Sequence, residues 1–164
     1  MMIELSQIPP RRALRMHRNL LLVLAMALGC VNVAQAESAD PETAARAVMT
    51  EFLDAFNAMD PERWANTLQF PHVRLAGGTV AVYPTKAEFV KEMDLKAFAA
   101  SSGWHHSTWD DMRVIQISPT KVHIAVVFSR FRADGSLIAS FDSLYVIELV
   151  DGHWGVRARS SFAP

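Results

Sequence analysis

The 164-residue chain has one cysteine, Cys30, and it lies in the first 36 residues. The remainder therefore has no disulfide, no thiol nucleophile and no thiolate metal site, even in an oxidising compartment. Metal ligation by histidine is equally poorly supported. His105 and His106 are adjacent and diverge on a strand, no His-x-x-x-His spacing occurs, and zinc needs three or four converging ligands. No phosphate-cradling glycine loop, Walker-type lysine or Ser-His-Asp motif appears, so no metal site and no cofactor is expected. Blocks of basic residues are also missing. Four of the 16 Lys+Arg and one of the 17 Asp+Glu fall in residues 1–36, which leaves 12 against 16 beyond them. A mildly acidic domain of this kind is a poor nucleic-acid binder.

The front of the chain reads as a secretory signal. Arg11, Arg12, Arg15 and Arg18 precede the apolar run Leu20–Leu28, and Ala34-Gln35-Ala36 supplies a small-x-small cleavage site. The apolar core is too short to span a bilayer comfortably, so no stable membrane insertion is expected after cleavage at Ala36. Met16 is an alternative start with its own basic front, and Ala27-Leu28-Gly29-Cys30 weakly resembles a lipoprotein box. The expectation is a signal over residues 1–36, one periplasmic or secreted domain over 37–164, and a single core of adequate size.

Asp40-Pro41-Glu42 is a helix start: a capping carboxylate, a proline fit for the first turn, and an acid at the positive end of the dipole. Ala45, Val48, Phe52, Phe56 and Met59 follow at helical spacing, with Leu53 beside them. Asp60-Pro61-Glu62 repeats the start and opens a short helix through Trp64 and Leu68, which Phe70-Pro71 stops. Val73–Leu75 and Thr79–Tyr83 form a hairpin about Gly77-Gly78. Thr85-Lys86-Ala87-Glu88 has capping-box spacing and opens a third helix with Phe89, Val90, Met93, Ala97 and Phe98 on its buried stripe. From Met112 the chain is nearly all strand, punctuated by Pro119-Thr120, Asp134-Gly135 and Asp151-Gly152. The long strands call for curvature and bulges, and the order of elements is α+β.

This order resembles the nuclear-transport-factor-2-like (NTF2-like), or SnoaL-like, superfamily. Phe52-Leu53-Asp54-Ala55-Phe56-Asn57-Ala58-Met59-Asp60 is similar to its F-x-x-A-x-N-x-x-D opening. Asp134-Gly135 falls between long strands as it does there, and Asp151-Gly152-His153-Trp154-Gly155-Val156 is similar to its DG-x-W-x-I close. Phe70-Pro71-His72-Val73-Arg74 with Gly103-Trp104-His105-His106 resembles a largely uncharacterised bacterial branch. The resemblance implies a cone-shaped α+β barrel with N-terminal helices on a curved, mainly antiparallel sheet, and a pocket at its open end. It also implies either an acid/base enzyme of the isomerase, dehydratase or cyclase type, or a non-catalytic ligand or partner module, often a homodimer paired through the sheet. Fold alone does not choose among these.

The polar and aromatic stretch Gly103–Asp111 is the richest candidate site. Strict alternation puts Trp104, His106, Thr108, Asp110 and Met112 on one face and His105, Ser107, Trp109 and Asp111 on the other. The first set is taken as the inner one, with His106 and Asp110 as a candidate acid/base pair and Trp104 against a ligand. The alternative is a solvated strand end. His72, at a strand start, is a further catalytic or ligand-orienting candidate, or the cap of a turn. Val122, Ile124, Val126, Phe128, Arg130 and Arg132 share a face, so Arg130 either meets an anionic or carbonyl group or pairs across strands with Asp142 or Glu148. Trp64, Phe70, Tyr83 and Tyr145 complete the ligand-lining set, although Tyr83 also suits a strand-end anchor. In the last strand Trp154, Val156 and Ala158 read as core, with Arg157 and Arg159 on the opposite face. A small organic molecule is the expected partner, with or without turnover.

Overall fold

The computed structural model describes residues 40–164. The expected signal segment, its cleavage site and Cys30 lie outside the described residues. Helix α1 (Pro41–Asn57) begins where Asp40 accepts a hydrogen bond from the Thr43 amide, and α2 (Pro61–Ala65) begins the same way from Asp60. Strands β1 (Leu68–Ala76) and β2 (Thr79–Tyr83) follow, then α3 (Lys86–Glu92), α4 (Leu95–Ser102), β3 (His106–Ser118), β4 (Lys121–Phe131), β5 (Leu137–Val150) and β6 (His153–Ser161). The strands form one curled sheet in the order β2-β1-β6-β5-β4-β3. All neighbours are antiparallel except β1 and β6.

Two expectations about helices are corrected. The second helix stops at Ala65, and Phe70-Pro71 lies inside β1 rather than ending a helix. The third helix is broken at Met93-Asp94, because Asp94 leaves helical geometry and its carboxylate caps a new helix by accepting from the Ala97 amide. Leu95 is buried in consequence, and Ala97 is exposed. On α1 the fully buried stripe is Ala45, Met49, Phe52 and Ala55, with Val48, Phe56 and Met59 packed at its margin.

The core lies between α1, α2 and the concave face of the sheet. Val122, Ile124 and Val126 of β4, Tyr145 and Ile147 of β5, and Val156 of β6 meet Met49 and Phe52 there. Asn57 ties the end of α1 to the start of β3: its side-chain amide donates to the Ser107 carbonyl at 2.9 Å and accepts from the Ser107 amide at 2.8 Å.

Bulges decide which side chains face this core. Trp109 pairs with Phe128 and Asp111 with Val127, so Asp110 is an extra residue on β3. Ile147 pairs with Val156 and Val146 with Ala158, so Arg157 is an extra residue on β6. An extra residue exchanges the two faces of the strand beyond it.

Candidate functional site

A partly open cavity of about 240 Å³ lies between the helices and the sheet. Its walls come from α1 (Phe52, Leu53, Phe56), α2 (Trp64), the α3–α4 junction (Phe89, Glu92, Met93, Asp94, Leu95, Phe98) and the inner faces of all six strands. The aromatic wall is mutually braced. Trp64 meets Phe52 edge-on at 5.3 Å and Phe89 at 5.1 Å, while Tyr145 meets Phe52 at 5.5 Å and Trp109 at 5.7 Å, both edge-on. Offset and edge-to-face contacts of this kind hold ring positions closely.

Three arginines line this cavity, and the guanidinium groups of two of them lie over its rings. Arg130 ends the apolar row of β4 and sits over the rings of Phe98 at 5.0 Å, Phe141 at 5.2 Å and Phe128 at 5.5 Å. Arg159 sits over Trp64 at 5.6 Å and Phe52 at 5.7 Å. Arg74 is paired with Arg159 in register across β1 and β6, and Arg159 with Tyr145 across β6 and β5. Among the described residues none of the three forms a salt bridge. The buried Nε atoms of Arg130 and Arg159 and the indole Nε1 of Trp64 have no hydrogen-bond partner. Burial, reinforced by Arg159 and Arg74, pushes the Arg130 guanidinium down to about 10. Burial followed by Arg159 lowers Arg74 in the same way.

Of the expected ligand-lining residues, Trp64, Tyr83, Arg130 and Tyr145 line this cavity. Phe70 instead packs on Phe89 and borders a shallow depression with Gln69 and His153. Trp104 is buried outside the cavity lining: its ring lies tilted against Phe56 at 4.6 Å and donates from Nε1 to the Ser107 hydroxyl at 2.8 Å.

The expected inner face of the Gly103–Asp111 stretch is reversed. Ser107 and Trp109 line the cavity, and the bulge at Asp110 turns the strand over only afterwards, so that Met112 and Val114 pack inward. His106 lies outside, stacked on Phe131 at 5.0 Å with its Nδ1 3.2 Å from that of His105. Asp110 accepts from the Thr108 hydroxyl at 2.7 Å and from the Ser129 hydroxyl, and does not meet His106. His72 is buried behind Tyr83 and Phe89, ring to ring at 6.2 Å from each. Its Nδ1 lies 2.9 Å from the Val156 carbonyl, which can only accept, so Nδ1 carries the proton of a neutral ring. Burial, then Arg159, pushes its pKa down to about 4.

Arg74 and Arg159 were not anticipated at the site. Strict alternation puts Arg159 outside and Ala158 inside, and the extra residue Arg157 inverts both. The outward-facing pairing expected of cations is made by Arg157 instead, which donates to Glu148 at 2.9 Å, with Lys121 on the other Glu148 oxygen at 2.7 Å. Among the described residues no three His, Cys, Asp or Glu side chains converge as metal ligands.

Residues 40–161 match the family described as NTF2-like protein (DUF6841). The chain belongs to this NTF2-like family. Solved structures share the fold at low identity. An NTF2-like protein of unknown function from Shewanella oneidensis MR-1 is 11% identical, with a TM-score of 0.58, over 75% of this chain and 99% of that one. An NTF2-like protein from Cytophaga hutchinsonii is 20% identical, with a TM-score of 0.58, over 76% and 99%. A protein from Catenulispora acidiphila, solved in complex with S-DNPA, is 16% identical, with a TM-score of 0.59, over 74% and 91%. No curated protein matches the sequence. The NTF2-like fold thus accounts for the helices-then-sheet order.

Proposed function

We propose that this NTF2-like domain is an exported protein that binds a small organic molecule in the cavity between α1, α2 and the sheet, with no need for turnover. The carrying observation is that three residues lining the cavity each hold a buried donor without a partner: Trp64 Nε1, Arg130 Nε and Arg159 Nε. A buried donor without an acceptor costs roughly 1–3 kcal/mol, and a ligand acceptor removes that cost. An apolar cleft with a few converging polar groups is the usual form of a ligand site. The Catenulispora protein with its bound S-DNPA supports the reading that such a fold can hold a small organic molecule.

The acid/base alternative has less support. It requires a histidine beside a carboxylate at the cavity, whereas His72 is held by a backbone carbonyl and His105 and His106 lie at the surface end of β3. Trp64 and Trp109 both line the cavity, so their fluorescence reports occupancy directly. Titration with small organic fragments is expected to give saturable quenching together with a rise in Tm. If no fragment does either, the reading fails. Export is tested by the N-terminus of protein recovered from outside the cytoplasm: Glu37 is expected, and an intact leader retained in the cytoplasm overturns it.

The sheet-mediated homodimer is favoured by one observation, a groove on the outer face where Ala125, Val127, Leu144 and Phe162 meet, with Phe162 84% exposed. Sedimentation or light scattering at high concentration tests it, and a strict monomer rejects it.

A further inference from the structure

The proposed binding reading leaves the class of ligand open, and the charge in the cavity narrows it. Resting on that reading, we infer that the ligand is a small aromatic carboxylate, its carboxylate held by Arg130 and Arg159 and its ring packed against the aromatic wall. A buried cation without a counter-ion is costly, and three that converge repel one another as well. Among the described residues the other part-buried guanidinium groups meet carboxylates: Arg46 meets Glu42, Arg63 meets Glu51 and Arg157 meets Glu148, while Arg113 and Arg132 are exposed. Arg130, Arg159 and Arg74 are the arginines that line the cavity, and none has such a partner among the described residues.

Two acids share the cavity lining, Glu92 and Asp94 at the α3–α4 junction. Both are exposed, so water screens them, and Asp94 is occupied in capping α4. Neither forms an ion pair with the part-buried guanidinium groups.

The planar, forked guanidinium matches a carboxylate in a bidentate pair, and rings already cover the faces of Arg130 and Arg159, leaving their edges for hydrogen bonding. The same fork also matches phosphate, so the choice of an organic carboxylate rests on the aromatic lining, which a bare phosphate would leave uncovered. The volume of about 240 Å³ holds roughly eight waters at ~30 Å³ each. That is room enough for one ring with a carboxylate. The surrounding side chains offer ring edges and faces, which an aromatic body satisfies better than a flexible aliphatic chain.

The test is calorimetric titration of the purified protein at low salt with benzoate, benzamide, benzyl alcohol and inorganic phosphate. Benzoate is expected to bind at least about tenfold more tightly than benzamide or benzyl alcohol, since each charge-assisted contact contributes about a factor of ten or more. Arg130→Met and Arg159→Met should each weaken benzoate binding by about tenfold or more and so remove that preference. Equal binding of benzoate and its neutral analogues overturns the carboxylate inference and leaves the pocket reading standing. Phosphate binding without benzoate binding overturns the organic class. Failure of every compound, neutral ones included, defeats the pocket reading itself. The ligand comparison on the unaltered protein decides the matter even if a variant does not fold.

Discussion

Arg130 provides the sharpest test, because replacing it should make the ligand-free protein more stable. Its part-buried guanidinium lies over three rings, has a buried Nε without a partner, and is held down to about 10 by burial and by Arg159 and Arg74. At about 1.4 kcal/mol per pH unit, the distance from the ordinary value caps the cost of charging at ~3 kcal/mol. Solvent screening of a side chain that is only part-buried reduces this to about 1–2 kcal/mol. Methionine fills the same unbranched path, and its thioether replaces some of the lost cation–π attraction to Phe98, Phe128 and Phe141. Arg130→Met should therefore raise stability by about 1 kcal/mol, or roughly 3 °C in Tm for a domain of this size. The assay is calorimetric unfolding near neutral pH without ligand. A pH series adds a sign. Between about pH 10 and the ordinary arginine value the unfolded chain holds more protons than the folded one, so the penalty is complete below that window and is lost across it as pH rises. The gain from Arg130→Met should shrink accordingly at high pH. A fall in Tm of several degrees would refute the reasoning, since it would make the guanidinium a structural support rather than a group awaiting an acceptor.

Three further outcomes follow from the packing. His72 is neutral when folded, with a pKa of about 4 against 6.5 when unfolded, so its contribution is complete above pH 6.5 and is lost as pH falls toward 4. The loss is about 3 kcal/mol, and urea titrations across that range should show a flatter pH profile for His72→Asn, whose amide can still donate to Val156. Asn57→Ala leaves both backbone groups of Ser107 without their partner and should cost about 2–3 kcal/mol in urea unfolding; a cost under 0.5 kcal/mol would show that water replaces the amide. Gly155 has no room for a Cβ, which would lie 2.8 Å from the carbonyl carbon and 2.9 Å from the carbonyl oxygen of Leu68. Gly155→Ala should cost about 2 kcal/mol or more and speed hydrogen exchange at the Val156 amide, which donates to Thr67 across the β1–β6 junction.

Much of the fold was legible because its signals are local. The two Asp-Pro-Glu starts cap α1 and α2 through Asp40 and Asp60, and Gly77-Gly78 turn the β1–β2 hairpin with φ of 60° and 72°. The row from Val122 to Arg130 alternates without interruption, so Arg130 could be placed on the core face from its spacing alone. What was missed depends on pairing between distant segments. The parallel contact of β1 with β6 brings Arg74 beside Arg159, and no local pattern announces it. The extra residues at Asp110 and Arg157 leave no mark in composition, yet each inverts the faces beyond it.

The two inversions act on one site. Without the bulge at Arg157, Ala158 would face the cavity and Arg159 would face solvent. Without the one at Asp110, keeping Ser107 and Trp109 inward would turn Met112 and Val114 out of the core. Both strands therefore present aliphatic residues along the core and polar or aromatic ones at its open end. On the proposed binding reading, a charged side chain set against rings by a bulge, with no ion-pair partner among the described residues, takes its acceptor from outside the chain. On that ground Arg159, which alternation alone would assign to the surface, belongs with Arg130 at the centre of the site.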